Sequence, residues 1–375
     1  MTNGPSKSAS FKGRIHILVP TFQPHDAVGN DAAGMYHVLR AAGYDARLFA
    51  QHIHAAYASI TTIANASDSS WDDPKALLIY HHAIDWELGE EILRKTKNTV
   101  AIKYHNVTPP NFFANYSEFY YWACVRGREA NQRLAQLPNT WVWGDSQYNT
   151  DEFVQLGHTA ERARVVAPLH HVEDLMAEPF DNVITGAFRD SANILFVGGM
   201  RPNKGHAKAL ETIVALREQT SLPIRLFLVG NFDSNLARYT DDLHEYMRHL
   251  DLGDEVFFAR SVDGSQLRSY YMASSVFLCV SEHEGFCVPL VEAMAFRVPI
   301  VAWATTAVGE TAGDSGIIYN QFDPHDMAAG IAQVIENPDL GRELSHRGRK
   351  RYEEVFHIQA IKRQLISLVE EAMQK

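Results

Sequence analysis

Cysteine is scarce in this chain: 375 residues contain three, Cys124, Cys279 and Cys287. None belongs to a Cys-x-x-Cys pair, and two of them lie in apolar runs. A disulfide framework and a clustered zinc site are therefore excluded as organising devices, and a reducing cytoplasm fits. No stretch approaches the roughly 18 uninterrupted apolar residues that a membrane span needs. Positive charge is also in short supply. With 34 Lys and Arg against 45 Asp and Glu, the formal charge is −11, so no global field attracts nucleic acid and none is expected as a partner. Short repeats and low-complexity tracts are missing as well. The opening MTNGPSKSASFKG lacks the apolar core of a signal peptide, so residues 1–13 read as a disordered tail on a cytoplasmic protein.

What is present is alternation on a scale larger than one core supports, which predicts two domains. RIHILVPTF, a β-branched apolar run, is followed by the loop PHDAVGND and the amphipathic stretch AAGMYHVLRAAGY. Further apolar runs (ARLFAQ, ALLIYHH, TVAIKYHN and WVWGDS) alternate with helical segments such as WELGEEILRKT. Strands too continuously apolar to be half exposed, separated by helices, imply a parallel sheet covered on both faces. A second series starts near Ala192 with NILFVGG and continues through IRLFLVG, VFFARS, VFLCVSE, PIVAW and GIIY. The fold class is α/β, with two Rossmann-like doubly wound domains at residues 14–180 and 190–355 and a hinge near 175–190. A C-terminal helical segment, 356–375, is expected to pack back on the first domain. Open α/β sheets bind ligands at the carboxyl ends of their strands, so the site belongs between the domains.

The most informative stretch is SEHEGFCVPLVEAMAFRVPIVAW, residues 281–303. Pro289 suits the first turn of a helix, placing Glu284 and Gly285 in the loop before it and Glu292 within it. Such a helix start presents unpaired N–H groups and partial positive charge to an anionic or oxygen-rich ligand. A second element, VGGMRPNKGH at 197–206, again joins a strand to a helix through a Gly-rich turn, where phosphate can approach the backbone and Lys or Arg can offset its charge.

These residues resemble the family 4 (group 1) retaining glycosyltransferases of the GT-B fold. The family's EGFGxPxxE is EGFCVPLVE in this chain, with Cys287 in place of the second glycine, and its VGRxxPxKG is VGGMRPNKG. The resemblance implies that Glu284, with Gly285, Phe286, Cys287 and Val288, lies against the donor sugar, and that Glu292 binds the ribose. Lys204 then holds the donor diphosphate over Gly199. Arg201, two residues beyond the family's arginine position, is assigned the same task by inference. The Cys287 side chain is expected to narrow the sugar pocket. VGETAGDSGIIYNQFDPHD resembles the stretch that places Glu310 near the nucleotide.

In the first domain, Gly29, Asn30 and Asp31 are read as a loop just before a helix, facing the donor phosphates or acceptor. IKYHNVTPP delivers His105 and Asn106 to the end of a strand, and resembles the YHN-[IV]-TP segment of a bacterial subgroup whose histidine lies against the donor sugar. GDSQYN places Ser146 at another strand end, for contact with acceptor or phosphate or as a helix cap. The aromatic and basic segment with Arg126, Arg128 and Arg133 is read mainly as core, with weak peripheral membrane contact as a further expectation.

The resemblance implies hexose transfer from GDP-mannose or a UDP-hexose to a saccharide or lipid-linked acceptor in cell-surface polysaccharide or glycolipid assembly. No Asp-x-Asp triplet is present, and no metal or other cofactor is expected. The alternatives are a nucleotide-sugar 2-epimerase on the same fold and a non-catalytic sugar-nucleotide-binding protein.

Overall fold

Among the described residues, thirteen short runs rich in branched and aromatic residues become strands, and they sort into two sheets in chain order. The computed structural model describes residues 11–23, 26–187 and 190–374. Residues 1–10 of the expected tail, and Phe188 and Arg189 of the expected hinge, lie outside the described residues. The remaining tail residues join the fold, since Lys12 N donates to Gly43 O at 2.9 Å.

The first sheet contains β1 (Arg14–Phe22), β2 (Asp45–Ile53), β3 (Thr61–Ile63), β4 (Leu77–His82), β5 (Thr99–Tyr104), β6 (Thr140–Gly144) and β7 (Ala163–Val165). Their spatial order is β3-β2-β1-β4-β5-β6-β7, and every pairing is parallel. The second sheet, also parallel, contains β8 (Ala192–Val197), β9 (Ile224–Val229), β10 (Val256–Ala259), β11 (Val276–Cys279), β12 (Ile300–Trp303) and β13 (Gly316–Tyr319), in the order β10-β9-β8-β11-β12-β13. Order reverses between β1 and β4 and again between β8 and β11. Those two switch points open a crevice at the strand ends, and they face one another.

The burial pattern explains why the strands lack alternation. In β4 all six residues are buried, and in β1 Ile15, Ile17, Leu18 and Val19 are each fully buried. Helices cover both faces, as continuous apolar strands require. One apolar cluster runs through both domains, joining Ile17 and Leu169 to Leu290, Phe356 and Leu365. The C-terminal helix, Ile358–Met373, follows a π-helical turn at Tyr352–Phe356 and lies on the first domain. Gln364 Nε2 donates to Val165 O at 2.7 Å, and Arg164 pairs with Glu371 at 2.6 Å. The hinge is more ordered than its turn-rich sequence implies: it carries short helices at Val172–Ala177 and Asn182–Ala187.

Candidate active site

The loop after β8 is shaped by two constraints. Gly205 has φ +78°, and a Cβ there would lie 2.0 Å from Val280 O, so only glycine fits. That turn starts the helix His206–Gln219 and directs Lys204 at the loop after β11. The Lys204 ammonium meets both carboxylate oxygens of Glu284, at 2.7 and 2.8 Å. Ser281 Oγ donates to the same carboxylate at 2.8 Å, and Glu284 N donates to Thr306 Oγ1 at 2.9 Å. Burial acts to lower the Lys204 pKa, but the facing Glu284 carboxylate prevails and holds it above the ordinary value. The second-domain half of the site is thus a half-buried ion pair waiting at a switch point.

Cys287 is the N-cap of the helix Val288–Ala295 and has φ +73°, a left-handed conformation that favours glycine. Its Sγ lies 3.9 Å from Sγ of Cys279 at the end of β11. The thiol therefore packs back toward the strand as well as lining the cavity. Glu292, within the helix, accepts from the Tyr271 hydroxyl at 2.6 Å. Burial raises the Glu292 carboxyl above its ordinary value, and the Tyr271 bond works against that rise.

Across the cleft, β5 and β6 end in a cluster of charged groups. His105 Nδ1 lies 2.9 Å from Asp145 Oδ2, and His105 Nε2 lies 2.9 Å from Nδ1 of His81. Asp145 also takes the ammonium of Lys103, which donates to Val166 O at 2.7 Å. Asp31 Oδ1 accepts from Leu169 N at 2.7 Å, while its Oδ2 lacks a hydrogen bond and lies 3.7 Å from His105 and 3.9 Å from Lys103. Asp31, His81 and His105 place ligating atoms within 4.8 Å of one another. A cation there would compete with the Lys103 ammonium already beside Asp31.

A cavity of about 820 Å³ separates the two halves, lined by Asn30, His105, Lys204, Glu284 through Val288, and Glu292 among others. The domains meet at its edge. Ser146 Oγ donates to Gly285 O at 2.8 Å, His283 Nε2 lies 2.7 Å from Asn106 Oδ1, and a Cβ on Gly285 would lie 2.6 Å from His105 O. Glycine at 285 is thus required by the approach of the first domain.

Several sequence expectations are corrected. Gly29, Asn30 and Asp31 lie inside the helix Ala27–Ala41, because Asp26 caps it and accepts from Gly29 N at 2.8 Å. Asp31 is fully buried behind the cleft rather than facing it. Asn106 is buried, donating to Asn149 within the first domain and meeting His283 across the interface. Ser146 keeps one of its two expected roles, capping the helix Gln147–Gln155. Arg201 turns toward Asp233, at 3.8 Å, and the ring of Tyr120, so neither it nor Gly199 lines the cavity. Glu310 is exposed and accepts from Gln147 N at 2.8 Å, satisfying free N–H groups at a first-domain helix start. In the aromatic segment Phe113 is buried, but Phe119 and Trp122 are exposed.

Sequence reading did not single out Lys103, Asp145, His81, Ser281 or Tyr271. Lys103 carried a signal, a charge in an otherwise apolar strand, because lysine is almost never fully buried without a partner.

Residues 179–351 match the model of glycosyl transferases group 1. This group 1 match covers the second domain, where the Lys204–Glu284 pair lies. The D-inositol 3-phosphate glycosyltransferase of Acidothermus cellulolyticus is 28% identical over 219 residues, 56% of this chain and 47% of that protein. The MMP alpha-(1->4)-mannosyltransferase of Mycolicibacterium hassiacum is 28% identical over 175 residues, 46% of this chain and 41% of that protein. The chain thus spans about half the length of the curated relatives it matches. Among solved structures, sucrose-phosphate synthase from Thermosynechococcus elongatus superposes with a TM-score of 0.74 at 19% identity, covering 96% of this chain and 99% of that one. Anabaena HepE in complex with UDP and glucose gives 0.76 at 15%, covering 96% and 100%. The architecture is the GT-B fold.

Proposed function

We propose that the protein is a retaining glycosyltransferase of family 4, moving a hexose from GDP-mannose or a UDP-hexose to a saccharide or lipid-linked acceptor. The observation that carries this reading is the Lys204–Glu284 pair at the switch point of the group 1-matching domain, facing His105 across the cavity. The relatives, two glycosyltransferases and a protein solved in complex with UDP and glucose among them, support the same class. Cell-surface polysaccharide or glycolipid assembly at the inner face of a membrane is the proposed setting. The exposed Phe119 and Trp122, beside Arg126 on the helix Glu118–Ala135, would supply weak contact with headgroups.

In this reading the donor diphosphate shares the Lys204 ammonium that Glu284 now holds. As the bond from the anomeric carbon to the phosphate oxygen breaks, charge grows on the diphosphate, and Lys204 stabilises the transition state more than the ground state. The acceptor oxygen bonds to the anomeric carbon on the face the diphosphate leaves, and its proton passes to the departing phosphate oxygen. Glu292 receives the ribose hydroxyls. His105, whose ring nitrogens are both engaged inward, borders the sugar from the first domain. No metal is required at the diphosphate, because a cationic side chain and a helix start meet it.

The test is a thermal-shift screen of UDP, GDP and their sugar conjugates, since a ligand selective for the native state raises its stability. Transfer assays with the stabilising donor then follow, with the product's anomeric configuration read by NMR. A specific shift and an axial-to-axial or equatorial-to-equatorial product are expected. Absence of any shift removes the reading, inversion removes the retaining mechanism, and donor hydrolysis with loss of the 2-substituent points to the epimerase.

A further inference from the structure

Beneath the first-domain wall of the cavity, five titratable groups from four elements converge. They are Asp31 on the first helix, His81 near the end of β4, Lys103 on β5 with His105 just beyond it, and Asp145 just beyond β6. Lys103 and Asp31 are fully buried, and the side chains of His105 and Asp145 are 7% and 6% exposed. Such charges persist away from water only when they are paired and hydrogen-bonded.

The proton count in this cluster is constrained. A carboxylate accepts, so the 2.9 Å contact puts a proton on His105 Nδ1, directed at Asp145. Lys103 as ammonium offsets Asp145 as carboxylate. Two arrangements then leave the cluster neutral: His105 and Asp31 both charged, or both neutral. They differ in whether one proton sits on His105 Nε2 or on Asp31 Oδ2, atoms 3.7 Å apart, and in which of His105 Nε2 and His81 Nδ1 donates across their 2.9 Å contact, the neutral His81 changing tautomer with it. Asp31 Oδ2 is buried without a hydrogen bond, as an atom with room for that proton would be. Burial raises the Asp31 carboxyl above its ordinary value against the pull of Lys103 and His105, in keeping with such sharing. His81, held well below its ordinary value by burial and then by His105 and Lys103, stays neutral beside the pair.

We infer that Lys103, Asp145 and Asp31 are positioning residues that hold the His105 ring in one orientation and set its charge, with one proton shared between His105 and Asp31. This resembles the way a buried carboxylate fixes the tautomer of a working histidine. It rests on the proposed role of the cleft as a sugar-transfer site only for its effect on rate. The charge coupling itself stands independently of that role.

The test uses the full chain labelled with 15N in its histidine rings, with the His105 signals identified as those lost in His105→Gln. Removing a negative neighbour disfavours the imidazolium, so Asp31→Asn and Asp145→Asn should each move the His105 titration midpoint down by about one pH unit or more. Lys103→Met removes a positive neighbour and should move it up. Packing alone would not give opposite shifts that follow charge. Midpoints unchanged in both carboxylate variants, or moving upward in them, overturn the inference. Should Lys103→Met fail to fold, the two near-isosteric carboxylate variants decide it.

A second arm measures transfer. Asp145→Asn should slow single turnover by about 10²-fold, while nucleoside diphosphate affinity stays within a few-fold, the split expected when a polar group beside the reacting sugar loses its orientation. Unaltered single turnover removes the positioning role. Absence of any transfer in the wild type, with the NMR shifts intact, faults the glycosyltransferase reading and leaves the proton coupling standing.

Discussion

The two walls of the cleft are built differently. In the second domain the polar groups come largely from two short segments, with Lys204 in one and Glu284, Cys287 and Glu292 in the other, and the Lys204–Glu284 pair stands at the cavity edge. In the first domain four separate elements contribute, and their charged groups face mainly one another, with His105 and Asp145 reaching the cavity and Asp31 buried behind them. Under the proposed function, the wall that receives the diphosphate keeps an exchangeable ion pair at the surface. The other must place one ring with little freedom, and a buried network does that because unpaired alternatives cost too much.

The sharpest way to break this comparison is at His105. His105→Ala should lower the single-turnover rate by about 10²-fold or more, with nucleoside diphosphate affinity within a few-fold of wild type. A stable variant with nearly full turnover would make the first wall merely structural. On the opposite wall, Lys204→Ala should weaken free nucleoside diphosphate binding by about ten- to hundredfold, the range for loss of a charge-assisted bond. Unchanged affinity by calorimetry would remove Lys204 from the donor site.

Acid should act on both domains through histidines that fold neutral. Burial first of all lowers His16 and His82 in the first domain, and His283 in the second, to about 4. Their folded values lie below the unfolded value of 6.5, so the unfolded chain binds more protons between pH 6.5 and 4. Stability is therefore complete above about pH 6.5 and is lost as pH falls toward 4. His16 packs between Phe49 and Trp71 without a hydrogen bond, and His16→Phe should remove about one proton from the slope of stability against pH, or about 1.4 kcal/mol per unit. Denaturant melts across this range check it, and an unchanged slope would show that His16 is already protonated when folded.

The smallest expected effect is at Cys287. Cys287→Gly relieves a left-handed backbone and should raise stability by about 1 kcal/mol at most, less the lost contact with Cys279. It should also widen the range of donor sugars bound, and a narrower range would contradict the expectation that the thiol narrows the pocket.

Much of this architecture could be read from residues alone. The doubly wound sheets followed from uninterrupted apolar strands, since a strand buried on both faces cannot alternate. EGFCVPLVE and VGGMRPNKGH were recognisable because each is contiguous and its loop-to-helix geometry is local. What failed were side-chain roles set by distant neighbours. Asp26, by capping the first helix, drew Gly29, Asn30 and Asp31 into it. Glu310 found the free N–H groups of a helix 160 or so positions earlier in the chain, and Arg201 found Asp233 and Tyr120.

By itself, then, the sequence determined the two α/β domains, the placement of their strand ends, and the two segments that bring Lys204, Glu284 and Glu292 to the second wall. Only tertiary structure decided that Asp31, His81, Lys103, His105 and Asp145 share one buried cluster, or that Gly285 must be glycine to let the first domain approach. The reason is physical: hydrogen-bond partners and close approaches across a sheet or between domains depend on pairing order and domain closure, to which no local pattern of residues corresponds.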